Sequence, residues 1–372
     1  MVAAPLFSPI AIPGQRTLSG APWTGSSADG QQFPLAAQID PSLRTLDDFV
    51  SRIEDLVSKD ELKPLLHQHG GAILFRGTHA STPEDFSKIV NAFRLGPEHV
   101  ELGNPVVRNV FPNTKNVSTA NEGPATHPVF PHSEFGWSSH YPNYIVFFNR
   151  HPAETGGETP INNGAELLAR LQAELPEFVE ELATKGVRYT YQYLEKVNPG
   201  SNLGNSIARA YPLADVSPDD VKKTARAKVE REIRKHSNEW RWEDDGSLSV
   251  VHYVEGVKRH PLTQHAVYFG NITSMFLLAQ RWNALEPPYI GTDGAYHHLP
   301  TYGDGSAIPH AYLQRTADLI KETRVLIDWQ QGDTLILDNH YVQHAREPWV
   351  GDRRVLASLW DGPPSLPYKV PA

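Results

Sequence analysis

The chain has 372 residues, a formal net charge of -9, scattered basic residues and no cysteine. This excludes disulfides, thiolate metal sites and a cysteine nucleophile, and it argues against nucleic acid or an anionic membrane as the main partner. With 40% hydrophobic residues, no apolar run near the roughly 18 residues of a membrane helix and no signal-peptide pattern at the start, the expectation is a soluble, cytoplasmic protein with a large core.

Residues 1–40, rich in Pro, Gly, Ser and Ala, read as an extended arm that could wrap a neighbour in a homo-oligomer. From Leu46 to Gln68 the apolar residues recur at helical spacing, and Gly70-Gly71 stops the pattern. GGAILFRG then predicts a buried strand, and STPEDFSKIVNAF a capped helix. YIVFFN (Tyr144–Asn149) predicts another buried strand, followed by a helical stretch broken at Pro176 and closed by Gly186. Between about 199 and 247 the composition shifts, and SPDDVKKTARAKVEREIRKHSNEW reads as a charged helix starting at a Ser-Pro cap, within an insertion or lid. Strand-like LSVVHYV and HAVYFGNI follow, then helices through SMFLLAQRWNAL and PHAYLQRTADLIKETR, then strand-like VLIDWQQGDTLILDN and RRVLASLW. Strands on either side of a helical middle predict a mainly β core with flanking helices.

The 17 histidines and the carboxylates are the available metal ligands. Chance gives roughly two His-X-acid triplets at this composition, and two occur, His99-Val100-Glu101 and His132-Ser133-Glu134. The triplet alone is therefore weak. Spacing of i and i+2 puts both side chains on one side of an extended segment, which suits adjacent positions on a metal. An iron(II) oxygenase site needs a second imidazole from elsewhere, and LDNHYVQHAREPWVGDRRVLASLW offers His340 and His344. The same stretch supplies Arg353 and Arg354, either of which could clamp a remote carboxylate. Strand parity favours Arg354, which shares a face with Ser358 and Trp360, and sends Arg353 toward solvent.

In their order and intervals these residues resemble the taurine dioxygenase and clavaminate synthase group of iron(II)- and 2-oxoglutarate-dependent oxygenases. GAILFRG with TPEDF, HSE with YIVFFNRHPAETGGETP, TYGDGSAIP and DNHYVQHAREPWVGDRRVL carry the resemblance, which covers most of the chain. It implies a double-stranded β-helix, or jelly roll, spanning 41–372 as a single domain. It also implies His132, Glu134 and His344 as iron ligands, Thr159 and Arg354 at 2-oxoglutarate, and O2 as co-substrate. Glu134 stands where aspartate is commoner. Ser358 stands where taurine dioxygenase has a second arginine, so the clamp is either simpler or shared with Arg353.

The implied reaction couples oxidative decarboxylation of 2-oxoglutarate, to succinate and CO2, with oxidation of a C–H bond. The substrate would be a small polar molecule, such as an amino acid or amino-acid-derived secondary metabolite, and the outcome hydroxylation, ring closure or desaturation. Phe135, Trp137, Tyr141, Asn143 and Trp360 are candidate substrate contacts, set against a packing role for each. His99-Glu101 reads as a surface pair, His340 as a histidine behind the ligands or in the core, and Asn339 either as orienting the distal loop or as a simple turn residue. The competing reading is a non-catalytic jelly-roll metal- or ligand-binding protein. A zinc hydrolase lacks its helix-borne HExxH spacing here.

Overall fold

The computed structural model describes residues 6–18, 31–104, 108–120, 123–195 and 206–368. Two antiparallel-dominated sheets enclose the main core. The larger runs in the order Phe7–Pro9, Leu35–Ile39, Ala72–Arg76, Thr334–Asp338, Tyr144–His151, Arg354–Trp360, Ser118–Thr119. Only Leu35–Ile39 and Ala72–Arg76 pair parallel in it. The smaller runs Val325–Ile327, Thr159–Asn163, Val342–Arg346, Val129–His132, antiparallel throughout.

The period-two alternation of the strands decides what each face buries. Ile145 and Phe147 enter the core between the sheets with Leu335, Leu337, Val355 and Ala357, meeting Ile161, Val342 and Ile327 from the smaller sheet. Val146, Phe148, Ile336, Leu356 and Trp360 point the other way, onto Phe49, Ile53, Phe86 and Ile89 of two covering helices. Phe148 stacks on Phe86 with ring centroids 5.2 Å apart, and burying such a ring contributes roughly 2–3 kcal/mol. The helix Pro83–Ala92 starts as its sequence predicts. Thr82 accepts from Asp85 N–H, the Asp85 carboxylate accepts from Thr82 N–H, and Pro83 fills the first helical position.

Three expectations change. Residues 1–40 are not simply an arm, because Phe7–Pro9 and Leu35–Ile39 are strands of the larger sheet, and Leu6, Phe33 and Ala36 are buried. The Leu46–Gln68 stretch forms two helices, Leu46–Ser58 and Leu62–Gln68, separated where Asp60 adopts φ 56°. The charged helix starts at Lys222, because Ser217 and Asp220 close a turn of their own through Ser217 N–H and the Asp220 carboxylate. That helix buries Val229 and Ile233 against Tyr193, Tyr211, Leu248 and Val250. A third sheet, in the order Glu239–Trp242, Leu248–Val254, Val187–Tyr193, Thr301–Tyr302, lies beneath it. No helix among the described residues is long and apolar enough to cross a membrane.

Candidate metal centre

The smaller sheet builds the centre. Val129–His132 pairs with Val342–Arg346 so that His132 stands opposite His344, and their ring centroids lie 4.3 Å apart. The strand ends at His132, and a tight turn follows. Gly136 N–H donates to Ser133 O at 2.9 Å, Ser138 N–H donates to Phe135 O at 2.9 Å, and Phe135 takes φ 51°. Glu134 is therefore delivered by a turn and not by continued strand. Its Oε2 lies 3.3 Å from His344 Nε2 and 3.7 Å from His132 Nε2. One ligand atom from each of the three residues lies within 4.8 Å of the others. The sequence-predicted set comes together.

Local contacts orient these three side chains. His132 Nδ1 sits 2.8 Å from Phe130 O. A carbonyl only accepts, so Nδ1 is the donor there and Nε2 is the nitrogen that faces Glu134. Burial, and then the neighbouring His132, push His344 down to about 4, which leaves it neutral at physiological pH. Its Nδ1 has no hydrogen-bond partner among the described residues, and Phe147 packs edge-on against the ring at 5.1 Å. Burial alone would raise the Glu134 carboxyl, but the Arg108 guanidinium and the two imidazoles outweigh it and hold the group well below its usual range. Two imidazoles and one carboxylate form the donor set of a non-haem iron site, and the residues fit that metal.

A second cluster of the same composition, His67, His260 and Asp338, is as tight. Its hydrogen bonds make it something else. His260 Nδ1 accepts from the backbone N–H of Leu262 at 3.3 Å and Thr263 at 3.1 Å, so Nε2 carries the proton and donates it to Asp338 Oδ2 at 2.9 Å. His67 Nε2 lies 3.0 Å from that same oxygen. Burial works against the Asp338 charge, yet His260, His340 and His67 together hold its carboxyl well below the usual range. With its His260 lone pair turned away, this is a buried hydrogen-bond hub and not a chelate.

Further along the same sheet, Thr159 meets a buried arginine. Ile161 pairs with His344, and Thr159 is two residues further on, about 7 Å along the strand. Thr159 Oγ accepts from Trp329 Nε1 at 2.9 Å and from Arg353 Nη2 at 3.4 Å, so its own proton can go to an anion. Arg353 is 6% exposed and donates through Nε to Gly157 O at 2.8 Å. A Cβ on Gly157 would come within 2.8 Å of Arg353 Cδ, and its φ is 76°. The second glycine of Gly156-Gly157 is therefore the floor under the arginine.

Arg354 is the correction. Its side chain is 56% exposed and pairs with Asp352 at 2.8 Å. Parity holds, but the face was misassigned: apolar Val355, Ala357 and Leu359 line the interior, whereas Leu356 and Trp360 face the helix-covered side. Ser358, taken as a marker of a polar interior, accepts from Trp360 Nε1 at 2.9 Å. Arg353, expected in solvent, shares the interior parity.

Each of the five candidate substrate contacts has a packing or hydrogen-bond partner in the fold. Trp360 packs in the core on the far side of the larger sheet, and Asn143 donates to Pro363 O at 2.6 Å. Trp137 packs on Tyr191 and His252, with centroids at 4.5 and 4.8 Å. Phe135 lies 6.1 Å from Trp137, and Tyr141 donates to Ser365 Oγ at 2.9 Å. His99 is not a surface residue; it is 7% exposed and sits 2.6 Å from Asp361 Oδ1. Two residues at the site were not singled out from sequence. Trp329 supports Thr159, and Arg108 donates to Glu134 Oε1. A lone arginine in a loop leaves no periodicity or motif by which to find it.

A mainly β fold that converges two imidazoles and a carboxylate beside a buried arginine defines the class of iron(II)- and 2-oxoglutarate-dependent oxygenases. A family model described as taurine catabolism dioxygenase TauD, TfdA family matches residues 31–360, and the chain belongs to that family. It is 30% identical to a clavaminate synthase-like protein of Arabidopsis thaliana over 81% of this chain and 84% of that one. It is 27% identical to the dapdiamide synthesis protein DdaC of Enterobacter agglomerans over 86% of this chain and 91% of that one. A taurine dioxygenase structure from Burkholderia xenovorans superposes with a TM-score of 0.46 at 16% identity, covering 94% of this chain and 90% of that one. The chain is thus a non-haem iron dioxygenase that uses Fe(II), 2-oxoglutarate and O2.

Proposed function

We propose that this enzyme oxidises a C–H bond of a small polar substrate, an amino acid or amino-acid-derived metabolite, and that His132, Glu134 and His344 are its metal ligands. The observation that carries the reading is the convergence of two imidazole nitrogens on Glu134 Oε2 at 3.3 and 3.7 Å, with Thr159 of the same sheet hydrogen-bonded to the buried Arg353. Bound iron supplies the oxidative chemistry and the decarboxylation of 2-oxoglutarate to succinate and CO2. The chain's own residues do the rest. Arg353 and the Thr159 hydroxyl hold the far carboxylate, Trp329 orients that hydroxyl, and Phe147 helps keep water from the imidazoles. The facing sheets are read as a double-stranded β-helix, with 41–372 as one catalytic unit.

The described part of 199–247 suits a lid. Gly103 N–H donates to Ala210 O at 3.0 Å and Ser139 Oγ donates to His236 O at 3.1 Å, so this region touches both loops that frame the centre. The names of the two relatives, clavaminate synthase-like and dapdiamide synthesis, support a metabolite of amino-acid origin. The test is succinate release by protein supplied with Fe(II), ascorbate and 2-oxoglutarate, screened over free amino acids, aliphatic ones included, and their derivatives. A product heavier by one oxygen indicates hydroxylation, and one lighter by two hydrogens indicates ring closure or desaturation. Succinate release that survives His344→Ala would defeat the reading, as would a metal-loaded protein that stays silent across the screen. The second of these results would favour a binding protein.

A further inference from the structure

The two oxygens of Glu134 are not equivalent. Oε2 faces the imidazoles, whereas Oε1 accepts a hydrogen bond from the Arg108 guanidinium. The pair is shielded, with side chains 15% and 6% exposed. Arg108 is set from its other side by Glu101, whose Oε1 lies 3.7 Å from Arg108 Nε and whose Oε2 accepts from Asn104 at 2.6 Å. Gly103, next to Asn104, is itself tied down, because the Tyr193 hydroxyl donates to its carbonyl oxygen at 2.6 Å. The guanidinium is therefore placed by structure around it and does not merely follow Glu134.

A glutamate can bind a cation through one oxygen or through both. With two imidazoles on a six-coordinate ion, a two-oxygen glutamate leaves two positions, and a one-oxygen glutamate leaves three. A chelating keto acid takes two and O2 needs one more. Glutamate, with one more methylene than aspartate, has the reach to bind either way.

We propose that Arg108 fixes Glu134 as a one-oxygen ligand and thereby keeps open the third coordination position that the keto acid and O2 together require. This rests on reading His132, Glu134 and His344 as the ligands. Arg108 is a positioning residue, acting through Glu134.

The test uses the full chain with Mn(II) as the probe, and counts exchangeable waters on the bound ion by water-proton relaxation. Arg108→Met binds Mn(II) at least as tightly as the unaltered protein, carries one exchangeable water fewer, and in its Mn(II)-loaded form binds 2-oxoglutarate about tenfold or more weakly. Arg108→Lys keeps the original water count, since an ammonium still engages Oε1. Should the methionine variant misfold by near-UV circular dichroism, Arg108→Gln carries the same comparison. An unchanged water count in the neutral variants overturns the proposal, including when Mn(II) affinity falls, which is what a purely structural role would give. Mn(II) binding that is absent from the unaltered protein, or that survives His344→Ala, removes the ligand reading itself and the proposal with it.

Discussion

Asn339 holds Glu134 by the backbone. Its side-chain oxygen accepts from Glu134 N–H at 2.7 Å, and its amide nitrogen donates to Glu134 O at 2.9 Å and to Pro142 O at 2.8 Å. The residue sits directly after Asp338, at the end of a strand of the larger sheet, while Glu134 follows a strand of the smaller one. One amide thus fixes the carboxylate's position across two sheets. Asn339→Ala leaves three buried backbone groups unpaired, and each costs about 1–3 kcal/mol. The expected outcome is a loss of about 3 kcal/mol in urea unfolding together with weaker Mn(II) binding by titration. Unchanged metal affinity in a destabilised variant would show that the turn alone places Glu134.

The two adjacent arginines make opposite predictions. Arg353→Gln removes a buried cation from beside Thr159 and raises the 2-oxoglutarate dissociation constant by about a hundredfold, the worth of a lost charge-assisted pair. Arg354→Gln removes only an exposed pair with Asp352, and it leaves both affinity and stability unchanged. Isothermal titration of the Mn(II)-loaded proteins distinguishes the two, and an equal effect would contradict the burial argument.

Gly157 tests the floor beneath Arg353. Alanine there meets Arg353 Cδ at 2.8 Å and keeps a φ of 76° that its side chain resists. Gly157→Ala is expected to cost about 1 kcal/mol of stability and to raise the KM for 2-oxoglutarate more than that for the primary substrate. A KM ratio that does not move would separate the loop from the clamp.

The Asp338 hub predicts a pH dependence. Burial opposes the charge, but the surrounding imidazoles hold its folded pKa well below the unfolded value. A depressed carboxyl stabilises the fold above its unfolded pKa, about 3.9, and that contribution is lost as pH falls from there through the folded pKa. Asp338→Asn should therefore cost about 3 kcal/mol at neutral pH, and the gap from the unaltered protein should narrow below about pH 4. Parallel unfolding curves at every pH would show that the charge carries none of it.

Long runs with a clear period were legible in the sequence: the buried strands Ala72–Arg76 and Tyr144–His151, and the helices broken at Pro176 and capped at Thr82. The convergence of His132, Glu134 and His344 was legible because motif order and interval, not the His-X-Glu triplet, singled them out. Arg353 was not, since parity says which residues share a face but not which face turns inward, and Ser358 misled by being satisfied within its own strand. The hub was out of reach for another reason. His67, His260 and Asp338 come from three distant segments, and no spacing rule joins them.

The strand Val342–Arg346 has His132 against one flank of His344 and Ile161 against the other. Sliding it by one residue would present Gln343 at that level and turn His344 to the opposite side. Only the native alignment of this central ribbon brings His132 and His344 face to face, so the cluster exists in one threading of the sheet and in no other.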